Sequence, residues 1–293
     1  MKRIALGLSG ELVSQFALGT MYFGSTVGEK DSYEMLDFYM EKGGNFIDTS
    51  NNYIHWIPPF QGGESEKLLG KWMQERGNRD QVFLATKIGF ESKIFDLGMK
   101  PWQIRENIAR SLDNLKTDKI DLLYIHRDDP DTPLEDSLGT LNEFVQAGQV
   151  RHLGLSNFTA PRIEQVLEVS DRLGFKRPCC LQNRMTYLPP EDGFDTSPQV
   201  MLGKEQIAVC DREQLTKLAF SPLLQGAYCL PERPLPDGYA TAENAAKRAE
   251  LFRVAEEIKA TPNQVVLAWM RHQNIIPMVT GENKAQLEEN LNA

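Results

Sequence analysis

Short apolar runs alternate along the chain with stretches whose apolar residues recur every three or four positions. The runs predict strands over 16–20, 45–49, 82–87, 120–126, 150–156, 179–183, 215–220 and 275–279. Helical stripes lie between them. Leu36, Tyr39 and Met40 share one face of a predicted helix over 32–42, which stops at Gly43-Gly44, where a glycine takes a left-handed cap conformation without penalty. Leu68, Leu69 and Trp72 mark a helix over 64–75. Pro101 suits the first position of a helix carrying Ile104, Ile108, Leu112 and Leu115. Further stripes run through Leu134, Leu138, Leu141 and Phe144, then Ile163, Val166 and Leu167. Leu251, Val254, Ala255 and Ile258 make another, and Val265, Val266, Trp269 and Met270 the next. A last helix is predicted over 284–291.

Short, continuously apolar strands separated by helices mean a parallel sheet covered by helices. Eight such units predict an α/β fold, a single (β/α)8 TIM barrel spanning one domain over 1–293, with its active site at the C-terminal ends of the strands. A doubly wound sheet is disfavoured, because no G-x-G-x-x-G follows the first strand. The irregular stretches 187–198 and 225–241, rich in Pro, Gly and Asp, read as lids.

Composition narrows the class. With 293 residues, 41% of them hydrophobic, the chain buries a large core without disulfides or metals. A net charge of -9 argues against a nucleic-acid partner. Cys179, Cys180, Cys210 and Cys229 form no C-x-x-C pattern and read as reduced, mostly buried thiols. The run after Met1-Lys2-Arg3 is broken by Glu11, which disfavours a signal peptide, and no long uncharged apolar stretch predicts a membrane span. A cytoplasmic location is expected. The sequence carries no signal for an oligomeric state.

The polar residues at the predicted strand ends carry the candidate chemistry. The second strand ends in Asp48, with Tyr53 just beyond; the third ends in Lys87 and the fourth in His126. A phenol with an ordinary pKa near 10 is a poor acid at neutral pH, and a neighbouring ammonium is expected to lower that value. Asp48 is the natural partner for a buried Lys87. His126 is expected to polarise a carbonyl oxygen or relay a proton. Together the four would deliver a proton to a carbonyl oxygen as hydride reaches the carbon. Other readings stand beside this one: the Asp–Lys pair as a barrel-closing ion pair, and the histidine as a structural residue. His55, His126, His152 and His272 have no metal-ligand spacing, and no metal is expected.

Several blocks, in order along the chain, resemble the signatures of the aldo-keto reductases. They are Gly44-Asn45-Phe46-Ile47-Asp48-Thr49-Ser50-Asn51-Asn52-Tyr53, Ala85-Thr86-Lys87, Asp121-Leu122-Leu123-Tyr124-Ile125-His126, Gly154-Leu155-Ser156-Asn157-Phe158, Gln182-Asn183 and Ser221-Pro222-Leu223. The resemblance implies an NAD(P)-dependent oxidoreductase acting on a small carbonyl or alcohol substrate. It makes Tyr53 the general acid, with Asp48, Lys87 and His126 completing a tetrad. It also implies that Ser156, Asn157 and Gln182 hold the nicotinamide carboxamide, that Phe220 stacks on the ring, and that Gly19, Thr20 and Met21 lie near it. Ser221, Pro222, Leu223 and Gly226 would meet the pyrophosphate; Gly281, Glu282, Asn283, Gln286, Glu289 and Asn290 would surround the adenosine end. NADP(H) is the family default. Glu282 and Asn283 depart from the basic residues common there, and a carboxylate repels a 2′-phosphate while accepting from a free ribose hydroxyl, so NAD(H) is implied nearly as well, with Lys284 able to compensate. Tyr22, His55, Trp56 and Phe90, with Phe23, are candidates for the substrate wall. The alternatives are a cofactor-sensing barrel like the potassium-channel β subunits, and a metal-dependent barrel hydrolase or isomerase.

Overall fold

The computed structural model describes residues 1–94, 96–229 and 231–293. An antiparallel hairpin of β1 (Arg3–Ala5) and β2 (Leu12–Ser14) precedes the first barrel strand, β3 (Ala17–Gly19). The chain continues through α1 (Glu29–Glu41), β4 (Phe46–Asp48), α2 (Glu64–Arg76), β5 (Phe83–Ile88), α3 (Pro101–Leu115) and β6 (Ile120–Ile125). There follow α4 (Leu134–Gln146), β7 (Val150–Ser156), α5 (Ala160–Leu173), β8 (Pro178–Arg184), α6 (Lys204–Arg212) and β9 (Thr216–Phe220). Two helices in succession, α7 (Ala242–Glu257) and α8 (Pro262–His272), lead to β10 (Ile275–Val279) and α9 (Lys284–Leu291). Strands β3 to β10 pair in sequence order, all parallel, and β10 closes onto β3. The expected eight-stranded (β/α)8 barrel is the fold.

Helix ends follow local chemistry. In α8, Thr261 accepts from Gln264 N, Gln264 answers in a capping box, and Pro262 stands where no N–H is needed. Gly77 and Gly174 close α2 and α5 with φ of 60° and 65°. Inside the barrel, Phe46, Ala85, Leu122, Tyr124, Cys180, Leu218, Ile276 and Met278 form one cluster; between strands and helices lie two larger apolar layers.

The structure adds two elements the apolar pattern does not reveal. The hairpin covers the lower end of the barrel, with Leu6 and Val13 packed into the inner cluster. Glu11 on its turn side meets Arg151, which also bonds Asp121 on β6 at 2.9 Å. The other is α6, whose buried residues are only Val209 and Cys210. Three of the four cysteines are buried, and Cys229 is exposed. The stretch 187–198 lies over the end of β8, with Glu191 N bonded to Gly238 O at 2.7 Å, so the two expected lids touch each other. Residue 230, in the second lid, lies outside the described residues. No helix among the described residues is long and apolar enough to cross a membrane.

Candidate active site

Parallel strands deliver their C-terminal residues to one mouth, and the structure brings Asp48, Tyr53, Lys87 and His126 together there. Lys87 is fully buried on β5. Its Nζ donates to Asp48 Oδ1, to Thr49 O at 2.7 Å and to Tyr53 Oη at 2.7 Å. Three acceptors for three N–H directions is the arrangement of an ammonium. The ammonium also lies 4.8 Å from the Tyr53 ring centroid and 5.7 Å from that of Tyr124, which forms the floor beneath it. Tyr124 fits there because β7 offers a glycine alongside: a Cβ on Gly154 would stand 2.7 Å from its ring.

Asp48 uses both oxygens. Oδ1 takes Lys87, and Oδ2 accepts from Gln182 Nε2 at 2.9 Å. The Tyr53 hydroxyl is 3.4 Å from Oδ1, a long contact that leaves its proton only weakly engaged. Ile54, directly after it, is buried with φ 67°, an uncommon conformation for a β-branched residue; it fixes the turn that carries the phenol. The His126 ring stands edge-on to Tyr53 with centroids 6.1 Å apart, and its Nδ1 is 3.1 Å from Ser50 Oγ.

The electrostatics correct one expectation. Burial, reinforced by the Asp48 carboxylate, pushes the Tyr53 phenol well above its ordinary value rather than below it. Desolvating a phenolate outweighs the ammonium beside it. Burial likewise raises Asp48 and lowers Lys87, each against the attraction of the other. Burial, and then the Lys87 ammonium, hold His126 well below the usual imidazole range, so the ring is neutral near pH 7.

The remaining expected residues fall into three groups. Around the mouth, Thr20 bonds Asp48 O at 2.9 Å through its hydroxyl, with Gly19 and Met21 on either side of it. Ser156 ends β7 and Asn157 follows it; Asn157 donates to His126 O at 3.0 Å and accepts from Val200 N at 3.1 Å, so its amide anchors neighbouring backbone. Phe220 ends β9, half-buried against the inner cluster. Beyond it Ser221 has φ 54°, Pro222 is buried, Leu223 half-buried, and Gly226 has φ 79°.

The loop from β10 into α9 forms the second group. Gly281 is buried, Glu282 N donates to Gln286 Oε1 at 2.9 Å, and Asn283 caps α9 by accepting from Gln286 N at 3.1 Å. Asn290 donates to Thr280 O at 2.9 Å, while its Oδ1 and Thr280 Oγ1 are buried without a partner among the described residues. Glu289 is tied to α8 through Thr261 Oγ1 at 2.7 Å. Unpartnered acceptors and helix-opening N–H groups in one loop fit the hydroxyls and amine of a nucleoside. Arg233, which the sequence reading missed, reaches Gly226 O at 3.4 Å and brings a cation to the loop after β9. Its place among Pro and Gly residues gave no periodic signal.

The third group is the substrate wall. Phe90 lies 5.1 Å from the His126 ring, His55 and Trp56 stand edge to face at 5.2 Å, and Trp56 is half exposed. Phe23 is buried in the layer outside the barrel, which removes it from the wall. Tyr22 is half-buried, and burial together with the Glu282 carboxylate raises its phenol. Among the described residues no cluster of His, Cys, Asp or Glu could hold a metal ion.

The family model described as the Aldo/keto reductase family matches residues 15–293. The chain is 30% identical over 311 residues to norsolorinic acid reductase stcV of Emericella nidulans, covering 99% of this chain and 76% of that protein. It is 31% identical over 316 residues to aldo-keto reductase str7 of Strobilurus tenacellus, covering 96% and 84%. Aldo-keto reductase yakc [NADP(+)] of Schizosaccharomyces pombe is 30% identical over 290 residues, covering 90% and 78%.

Proposed function

The chain belongs to the aldo/keto reductase family, and on that premise we propose that it interconverts a carbonyl and an alcohol with Tyr53 as the proton donor and acceptor. The observation that carries this reading is the Lys87 ammonium donating to Tyr53 Oη at 2.7 Å while the phenol's own proton has only a 3.4 Å contact. Tyr53 therefore receives a hydrogen bond on its oxygen and keeps its O–H for a substrate oxygen. The raised phenol keeps that proton at neutral pH, and the adjacent ammonium stabilises the phenolate at the moment of transfer. The chemistry that a reduced nicotinamide supplies, when bound, is hydride for the carbonyl carbon. Asp48 holds Lys87, and Gln182 holds Asp48. Phe220, Ser156 and the loops carrying Ser221–Gly226 and Gly281–Asn290 form the dinucleotide groove in this reading.

Of the two dinucleotides, NAD(H) fits these residues better. Lys284, the cation expected to offset Glu282, is drawn instead to Glu34 on α1 at 3.8 Å and lies 5.0 Å over the Phe38 ring. That leaves the Glu282 carboxylate to face a ribose hydroxyl. Phe90, Trp56 and His55 make an aromatic wall suited to an aryl, alkyl or sugar-like carbonyl compound. Fluorescence titration with NADH and NADPH side by side tests the assignment, followed by an aldehyde and ketone panel with the tighter one. Saturable NADH binding, tighter than NADPH, with turnover of at least one carbonyl is expected. Failure of both dinucleotides to bind would refute the reading.

A further inference from the structure

The first turn of α2 reaches into the surroundings of Lys87. Glu66, fully buried, accepts from Thr86 Oγ1 at 2.7 Å and from Asn114 Nδ2 at 3.0 Å, which fastens that turn to β5 and to α3. The fastening sets its neighbour Ser65, also buried, against the ends of β3 and β4. Thr49 Oγ1 donates to Ser65 Oγ at 2.8 Å. Ser65 Oγ donates to Thr20 O at 2.8 Å and lies 2.8 Å from Thr20 Oγ1, which reaches Asp48 O at 2.9 Å. Whichever way the protons run between Ser65 and Thr20, one oxygen ties two strand ends to one helix. Thr49 is thereby held at two of its polar groups. Its N–H donates to Ala85 O at 2.9 Å and its hydroxyl to Ser65, and its carbonyl is left to accept from Lys87 Nζ at 2.7 Å. Burial presses Lys87 toward the neutral amine, so each acceptor it keeps counts. The titratable groups around it are Asp48 on β4, Tyr53 in the loop beyond, Tyr124 on β6 with His126 just after it, and Glu66 on α2.

We infer that Ser65 is a positioning residue for the proton transfer: it fixes Thr49 so that the Thr49 carbonyl holds the Lys87 ammonium against Tyr53. The inference rests on the carbonyl reading above and deepens it. Of the three acceptors around Lys87, Asp48 supplies the opposite charge, and the Tyr53 oxygen is the one that changes during the reaction. The Thr49 carbonyl is neutral and unchanging, and it aims the remaining N–H. Ser65 makes no bond to Lys87 and acts through Thr49. Without the serine oxygen, Thr49 keeps only its backbone N–H bond and its carbonyl is free to turn. The ammonium then loses a hydrogen bond that favours its charged form. The same oxygen holds Thr20, which lies in the first-strand loop of the proposed groove, so proton donor and dinucleotide loop are set from one atom.

Ser65→Ala and the isosteric Thr49→Val each remove one end of the tie. The 15N shifts of the lysine side chains in the whole protein, detected through their own CH2 protons and recorded against pH, follow Lys87 without any substrate. Its signal is assigned by its loss in Asp48→Asn/Lys87→Met. In both single variants the ammonium should give up its proton about one pH unit below the parent, the worth of a hydrogen bond to a charged group. Ser65→Ala/Thr49→Val should shift no further than either change alone, since each removes the same bond. An unshifted Lys87 in folded Ser65→Ala or Thr49→Val, or shifts that add in the double variant, overturns the inference. A serine that only packs would lower the urea midpoint and leave the lysine titration where it is. In carbonyl reduction the alkaline limb of kcat should move to lower pH by the same interval in Ser65→Ala, and Ser65→Thr, which restores the oxygen, should return it. A limb that stays at the parent's pH in Ser65→Ala overturns the role in proton transfer. Absence of turnover across the whole carbonyl panel would count against the carbonyl reading, while the lysine titration still decides whether Ser65 positions Lys87.

Discussion

At the scale of single residues, the buried pair of Asp48 and Lys87 dominates. Each is fully buried and each is the principal charged partner of the other. Taking one away leaves a charge in a place that cannot solvate it. Lys87→Met should therefore destabilise the fold by about 3–5 kcal/mol, read as the shift in a urea midpoint. The double variant Asp48→Asn/Lys87→Met should recover more than half of that loss, because the orphaned carboxylate is gone. Additive losses would mean that the pair is not coupled. Asp48, Lys87 and His126 were legible in the sequence because strand periodicity places a residue at a strand end before any contact is known, and Tyr53 through its place in the block that follows Asp48. The hydrogen bond from Ser50 to Asn52 beside them was not. Two small polar residues in a loop have no period, and their meaning lies in a 2.7 Å contact that only the folded turn creates.

At the scale of elements, helices pack closely on one another as well as on the barrel. Gly70 on α2 touches α3 so closely that an added Cβ would stand 2.3 Å from Asn114 O and 2.9 Å from Leu115 Cα. Backbone atoms cannot swing aside as a side chain does. Gly70→Ala should cost about 3 kcal/mol through forced separation of the two helices, although alanine is the better helix former. A thermal midpoint equal to that of the parent would contradict this packing. Most elements were readable from their apolar stripes, and misread boundaries are a matter of a few residues, as at α1, which begins at Glu29 rather than at 32. The hairpin escaped because each strand has three residues and Leu8 and Leu12 are exposed. Helix α6 escaped because two buried residues make no stripe.

The molecule as a whole stores neutral phenols and thiols inside the barrel and in the apolar layers around it. Burial raises Tyr39, Tyr53, Tyr124 and Tyr228 above their ordinary value and pushes the Cys210 thiol up to about 12. Folded values above the unfolded ones mean that stability from these groups is fully present below the unfolded pKa and is lost as pH rises through the folded ones. The urea midpoint should thus decline from about pH 8.5, where unfolded thiols ionise, and fall steeply above about pH 10, where unfolded phenols do. A flat midpoint from pH 9 to 11 would show that these side chains are reached by water. The same burial keeps Tyr53 protonated where it is proposed to act, which is the centre of the whole account. The most direct measurement compares reduction of 4-nitrobenzaldehyde by the parent protein and by Tyr53→Phe, with dinucleotide binding titrated in both. Loss of the phenol proton should lower kcat about 10²- to 10⁴-fold with the dinucleotide Kd unchanged. Full activity in Tyr53→Phe would contradict it.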